Sequence, residues 1–216
     1  KTVVALAVTA ALAIPLAAQA DTILYGSARV SVDYVDEDPV DGFWDVVNND
    51  SRLGVLGSED LGGGLSADYQ YEFGVDVTEG GNIESNRPKF VGLNGGFGTL
   101  TLGTQETPYY HVAGVTDIFN SAKSFGATAF LGGSFDGFQL NPGAARVGGG
   151  GSLSRLANSI FYSTPDFAGF NAEAMLVLNG ARNDPQGYSD SADIWNIALK
   201  YNNGPFFAGA SYIRLE

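Results

Sequence analysis

Apolar and polar residues alternate along most of the chain, and the clearest case is Ser51–Val77. After the turn Glu59-Asp60-Leu61-Gly62-Gly63-Gly64, the residues Leu65, Ala67, Tyr69, Tyr71, Phe73, Val75 and Val77 fall on one face. Ser66, Asp68, Gln70, Glu72, Gly74 and Asp76 fall on the other. A period of two predicts a β-strand with one apolar and one wet face. The run exceeds the usual length of about 5–6 residues and suits a strand tilted across a membrane.

The same rhythm returns at Ile23–Val35, where Tyr25, Ser27, Arg29, Ser31 and Asp33 share the wet face. Further strands are predicted at Arg87–Asn94, Thr99–Gln105, Arg155–Thr164, Phe170–Leu178, Ile194–Tyr201 and from Phe206 onward. In Arg155–Thr164, Leu156, Ile160 and Tyr162 read as one face; in Ile194–Tyr201, Trp195 and Tyr201 cap the two ends of the apolar face. Between strands, short Gly-rich turns (Gly95–Gly98, Pro165–Gly169, Asn202–Pro205) alternate with longer polar segments. Asp36–Asp50 reads as an acidic external loop carrying Asp36, Glu37, Asp38, Asp41, Asp45 and Asp50. Thr78 to about Asn86 reads as a second loop, and Asn179–Asp193 as a later one. Glu106–Ser154 holds no sustained alternation, is rich in Gly and Phe, and reads as a packed functional loop.

About nine strands joined by alternately short and long connections predict an all-β fold, an up-and-down transmembrane antiparallel β-barrel. A soluble β-sandwich is the rival, and it requires shorter strands with their apolar faces buried.

Composition narrows the picture. Charged residues are 16% of the chain, against about 25% in soluble domains. The formal charge of −13 argues against a nucleic-acid partner and predicts surfaces that attract cations. Cysteine is absent, so neither disulfides nor a thiolate metal site is available, and no metal or cofactor is expected. Residues 1–20 differ in kind: Lys1, an apolar run, then Ala18-Gln19-Ala20 before Asp21 predict a helical signal peptide. Residues 21–216 then form the barrel domain. An odd strand count ending at Tyr212–Glu216 predicts a barrel truncated at its C-terminal side, because an open edge in lipid leaves unpaired backbone groups.

Several blocks carry a resemblance: LYGSARV (Leu24–Val30), SRLGVLGSEDLGGGL (Ser51–Leu65), FVGLNGGFGTLTLGTQ (Phe90–Gln105), RLANSIFYSTPDFAGF (Arg155–Phe170) and LKYNNGPF (Leu199–Phe206). In this order they resemble the general diffusion porins of Gram-negative outer membranes. The resemblance implies a homotrimer of barrels of about 16 strands, each with a water-filled pore. It implies that the third external loop, here Glu106–Ser154, folds inward and sets acidic groups against a basic wall. Carried over residue by residue, the acidic side falls on Asp117, and the basic side on Arg52 and Arg87, with Arg155 at the loop's end. Alternation alone adds Arg29 and Lys89, with the parity around Phe90–Leu93 left open. Leu56, Thr104 and Phe161 stand where relatives often carry a pore-lining base, which thins the basic wall.

The implied function is passive diffusion of small hydrophilic solutes and ions, with a weak cation preference from the thinned wall and acidic rim. The implied partners are outer-membrane lipid and lipopolysaccharide, with divalent-ion bridging at the acidic loop left open. A barrel acting as a ligand receptor or adhesin, or one housing an enzyme, are the other classes. Catalysis is not expected, because His111 is the sole histidine and a base needs a nucleophile and an orienting partner in reach.

Overall fold

A computed structural model of the chain describes residues 21–37, 40–80, 83–84, 87–118, 153–178 and 192–215. The predicted signal peptide, Asp38 and most of the two longest loops lie outside the described residues.

The strands are β1 (Asp21–Ser27), β2 (Val30–Glu37), β3 (Val40–Asn48), β4 (Arg52–Gly62), β5 (Leu65–Val75) and the short β6 (Ile83–Glu84). They continue as β7 (Lys89–Gly95), β8 (Gly98–Glu106), β9 (Arg155–Ser163), β10 (Phe170–Leu178), β11 (Ala192–Asn203) and β12 (Phe206–Leu215). Between β8 and β9 stands one helix, α1 (Pro108–Ala113), followed by a 3-10 turn at Gly114–Thr116. The main sheet is antiparallel in the order β1-β4-β5-β7-β8-β9-β10-β11-β12, with β6 appended to β5. After β4, every neighbour in that path is the next long strand in sequence, which is the up-and-down meander that the alternating connections predicted.

Two expectations are corrected at the N-terminal end. Ile23–Val35 is not one strand, because the ladder breaks at Ala28-Arg29, between β1 paired with β4 and β2 paired with β3. The supposed acidic loop is largely β3, whose Val46, Trp44 and Phe43 pair with Val32, Tyr34 and Val35. Charge density hid the strand, since Asp33 and Asp45 stand directly opposite one another. At the break the Ser51 hydroxyl accepts from Arg29 N at 2.8 Å and donates to Arg29 O at 3.2 Å. Asn49 N adds a bond to the same carbonyl. This joint replaces the missing ladder bonds between the lower wall and the β2–β3 ribbon.

Cross-strand partners share a face, so the register follows one row through the sheet. Tyr69, Val91, Leu102, Ile160, Leu176 and Trp195 form one row, and Gln70, Phe90, Gly103, Ser159, Val177 and Ile194 form the adjacent row on the opposite face. Val91, Leu102 and Trp195 are exposed, whereas polar Thr101, Gln105, Glu173 and Asn196 on the opposite face are buried. At neighbouring positions Asn196 is 0% exposed and Ile197 is 55% exposed. A water-soluble sandwich demands the reverse.

The inner polar groups are satisfied by one another, as buried donors and acceptors must be. Asn196 Nδ2 donates to Ser211 Oγ and to Tyr212 O, both at 2.9 Å. Gln105 Nε2 donates to Ser159 Oγ at 3.1 Å, and Ser159 Oγ donates to Gly103 O at 2.8 Å. A small apolar cluster of Leu156, Phe161, Met175, Val177 and Ile194 lies on the same side. Leu156 therefore does not share a face with Ile160 and Tyr162. Asn158 at φ 56° and a register shift between Gly103 and Gln105 form a bulge that inverts the parity of β9. No described helix is long and apolar enough to cross a membrane.

Candidate pore wall

Glu72 organises the inner face of β4 and β5. It is buried, and it accepts a hydrogen bond from the Tyr25 hydroxyl at 2.8 Å. Its Oε1 stands 3.4 Å from Arg87 Nε and 3.9 Å from Arg52 Nη1. Gln70 donates to the Tyr25 oxygen at 2.7 Å, completing the phenol's partners. The local sequence makes this possible at Gly54, the residue paired with both Tyr25 and Glu72. A Cβ there would lie 2.7 Å from Tyr25 Cζ, so glycine leaves the space the ring occupies.

The other arginines extend the same belt. Arg87 Nη2 donates to Asp50 O at 3.0 Å. Arg29 lies within electrostatic reach of Arg52, Asp50, Glu72 and Asp117. Arg155, paired with Glu106 in the ladder, sets its Nε 3.7 Å from Glu106 Oε1. Arg29, Arg52, Arg87 and Arg155, all singled out from sequence, therefore stand together, and Asp117 at the end of the 3-10 turn faces their flank at Arg29.

Lys89 departs from this set. It pairs with Tyr71 and Thr104 and shares the face of Val91 and Leu93, opposite to that of Glu72. Its amine lies 4.7 Å from the Phe73 ring centroid and donates to Arg87 O, a cation over an aromatic face at the edge of the belt, within electrostatic reach of Glu72, Arg155 and Arg87. Thr104, its partner, is on the outer face too, so only Leu56 and Phe161 of the three non-basic positions face inward. Asp50 is corrected as well. It sits at φ 57° in the bend before β4, beside the arginines rather than on an outer rim. Asp36 and Asp45 are exposed on the β2–β3 ribbon.

The third loop begins with α1, which lies against the inner side of β10, β11 and β12. Thr107 caps it by accepting from Tyr110 N at 3.1 Å, and Pro108 occupies the first turn, where its missing N–H costs nothing. Thr107 also ties the two ends of the loop: its N–H donates to Ser154 O at 3.0 Å and its hydroxyl to Leu153 O at 2.7 Å. Tyr109 N donates to Asn196 Oδ1 at 2.8 Å, and Gly209 lets Val112 approach β12 closely.

His111 on α1 joins the belt to its far side. Its Nδ1 is 2.9 Å from Glu173 Oε2 and its Nε2 is 3.7 Å from Glu106 Oε2. Glu173 is paired in turn with Lys200. Burial opposes the imidazolium charge, but the two facing carboxylates, Glu106 and the hydrogen-bonded Glu173, prevail, and the His111 pKa is pushed up to about 9. Glu72, Glu106, Glu173, Lys200 and His111 were not named as site residues from the sequence. Glu72 had a signal, an acid on the wet face of its strand, but Asp68 shares that face and the partners of Glu72 come from other strands. Among the described residues, no group of three or more His, Cys, Asp or Glu is arranged to hold a metal ion.

An antiparallel β-wall that is apolar outside and charged inside, with a loop helix laid on the charged side, is the wall of a transmembrane β-barrel. Comparison with known proteins makes the assignment definite. Residues 5–216 match the Gram-negative porin family, and the chain belongs to that family. It is 36% identical to outer membrane porin protein 32 of Delftia acidovorans over 96% of this chain and 58% of that protein. It is 30% identical to major outer membrane protein P.IB of Neisseria gonorrhoeae over 91% of this chain and 52% of that protein. Among solved structures, it superposes on an anion-selective porin from Comamonas acidovorans with a TM-score of 0.71 at 28% identity, covering 91% of this chain and 58% of the other. The fold alone is shared with Salmonella typhi OmpF, at a TM-score of 0.59 and 18% identity over 89% of this chain and 53% of that one. The chain is an outer-membrane protein, and it spans between half and two thirds of the length of these relatives.

Proposed function

We propose that this chain supplies part of the wall of a water-filled channel through which small hydrophilic solutes and ions diffuse across the outer membrane, within a homotrimer. The observation that carries the reading is the charge belt of the inner face with α1 set against it. Opposed charges across a lumen make a transverse field that orders water and sorts solutes by charge and size, with no covalent step. The apolar outer row faces lipid, and exposed Asp36 and Asp45 on the β2–β3 ribbon face the external leaflet and its lipopolysaccharide.

Ion preference follows from which surface dominates. The acidic ribbon and the inward-facing Leu56 and Phe161 support the cation preference expected from sequence. The belt supports the opposite: its ion pairs set Arg52, Arg87, Arg155, His111 and Lys200 against Glu72, Glu106 and Glu173. The belt lies where α1 takes up lumen space, and the Comamonas relative is described as anion-selective. Anion preference at the belt is therefore the better supported reading. The test is the zero-current potential of the full-length protein in planar bilayers across a potassium chloride gradient. A potential of the sign set by chloride permeation supports it, a potassium-selective sign restores the cation reading, and an absence of conductance steps overturns the channel itself.

A further inference from the structure

We propose that His111 is a positioning residue, a charged clip that fastens α1 to two separate wall strands and so fixes where that helix stands in the lumen. This deepens the channel reading and rests on it for its consequence, though the clip itself is a matter of structure.

The geometry is specific. The two ring nitrogens of His111 face carboxylates from different strands, Glu173 of β10 at 2.9 Å and Glu106 of β8 at 3.7 Å. Each carboxylate is also held by a wall cation on its other oxygen: Lys200 of β11 pairs with Glu173 Oε1, and Arg155 of β9 stands 3.7 Å from Glu106 Oε1. Each is left presenting one oxygen to the helix. The imidazole and the Phe161 ring of β9 meet edge to face, with centroids 5.8 Å apart at 83°, a contact that restrains the plane of the ring. From β12 the helix meets Gly209 at Val112, a steric contact.

Nδ1 is hydrogen-bonded to Glu173 and Nε2 faces a second carboxylate, Glu106, at ion-pair distance. A neutral ring would have to turn an acceptor nitrogen toward one carboxylate, which has no proton to give, whereas an imidazolium presents positive N–H groups to both, so the site is built for the charged form. The raised pKa of about 9 agrees with this arrangement and sets its range. A residue whose pKa is higher in the docked state than when free stabilises docking fully below its free value of about 6.5 and ceases to do so as pH rises through the docked value. The clip is thus closed at neutral pH and opens above about pH 9. The remaining attachments, Thr107 at the cap and Tyr109 N on Asn196, carry no charge that titrates there.

The experiment is hydrogen exchange on the α1 amides of the full-length protein in lipid vesicles, corrected for the intrinsic rate at each pH, with single-channel recording on the same samples. In the wild type, exchange at α1 is expected to rise about tenfold between neutral pH and pH about 10, the loss expected for one charge-assisted hydrogen bond, while β10 and β11 amides keep their protection. His111→Gln should show the raised rate already at neutral pH, with no further step. His111→Lys, which keeps its charge to about pH 10.4, should stay protected through the range where the wild type loosens. Wild-type protection that does not change across pH 9, or a His111→Gln protein as protected as the wild type, overturns the clip. If His111→Gln loses β10 protection as well, the wild-type titration alone decides. Loosening of α1 without any conductance at any pH leaves the clip standing and removes the channel reading.

Discussion

Replacing Glu72 with alanine is expected to destabilise the barrel by about 3 kcal/mol, because it takes from buried Arg87 the carboxylate paired with it and leaves only the neighbouring charge of Asp50. Glu72 is 4% exposed, and Arg87 beside it is 5% exposed. Water cannot take over the role of the carboxylate at that depth. Arg87 would retain its bond to Asp50 O, but a neutral carbonyl offsets only part of a buried guanidinium's lost hydration. The Tyr25 hydroxyl would lose its acceptor too. Glu72→Gln separates the contributions, since it keeps an oxygen for Tyr25 and the side chain's volume while removing the charge. It should cost less than alanine and should shift the zero-current potential further toward anions. Urea unfolding of the full-length protein in bilayers, followed by the mobility shift between folded and unfolded forms on gels, measures the first effect. A Glu72→Ala protein within about 0.5 kcal/mol of wild type would mean that lumen water already solvates these arginines.

The second large effect lies on the opposite face. Ile197→Arg should cost about 2–4 kcal/mol, the penalty for a cation on the lipid face near mid-bilayer. Ile197 is 55% exposed and stands between Ala174 and Tyr212 on neighbouring strands. In a water-soluble protein, arginine at so exposed a position would change stability by no more than about 0.5 kcal/mol. The same unfolding assay distinguishes the two, and a neutral result would remove lipid from the outer face.

The wall's alternation was legible in the sequence because lipid on one side and water on the other impose a strict period of two on every strand. What failed were the places where the ladder inserts a residue or where charge masks a strand. Asn158 inverts the parity of β9 through a single bulged residue, which no periodicity argument sees. The break at Ala28-Arg29 was hidden for the opposite reason, since exposure continues to alternate from Tyr25 to Val35 across it. Val40–Asn48 reads as loop in the sequence because its aspartates outweigh Phe43, Trp44, Val46 and Val47. The parity around Lys89 is open in the sequence because its face is fixed by its opposition to Tyr71, a fact of register. The four arginines were found because each is a charge on, or next to, a wet face. Their counter-ions were missed because Glu72, Glu106 and Glu173 meet their partners only once strands far apart in sequence are laid side by side.

The joint at Arg29 and Ser51 separates two parts of one hairpin that answer to different demands. Beneath it, each rung is fixed by neighbours on both sides of β4; above it, β2 and β3 pair only with each other among the described residues. Because a serine hydroxyl and one backbone bond, rather than a continuous ladder, carry the load across the seam, the ribbon above can be lengthened, shortened or rewritten without altering the strand order below. The outward display of such a protein can therefore change while the wall beneath it keeps its spacing.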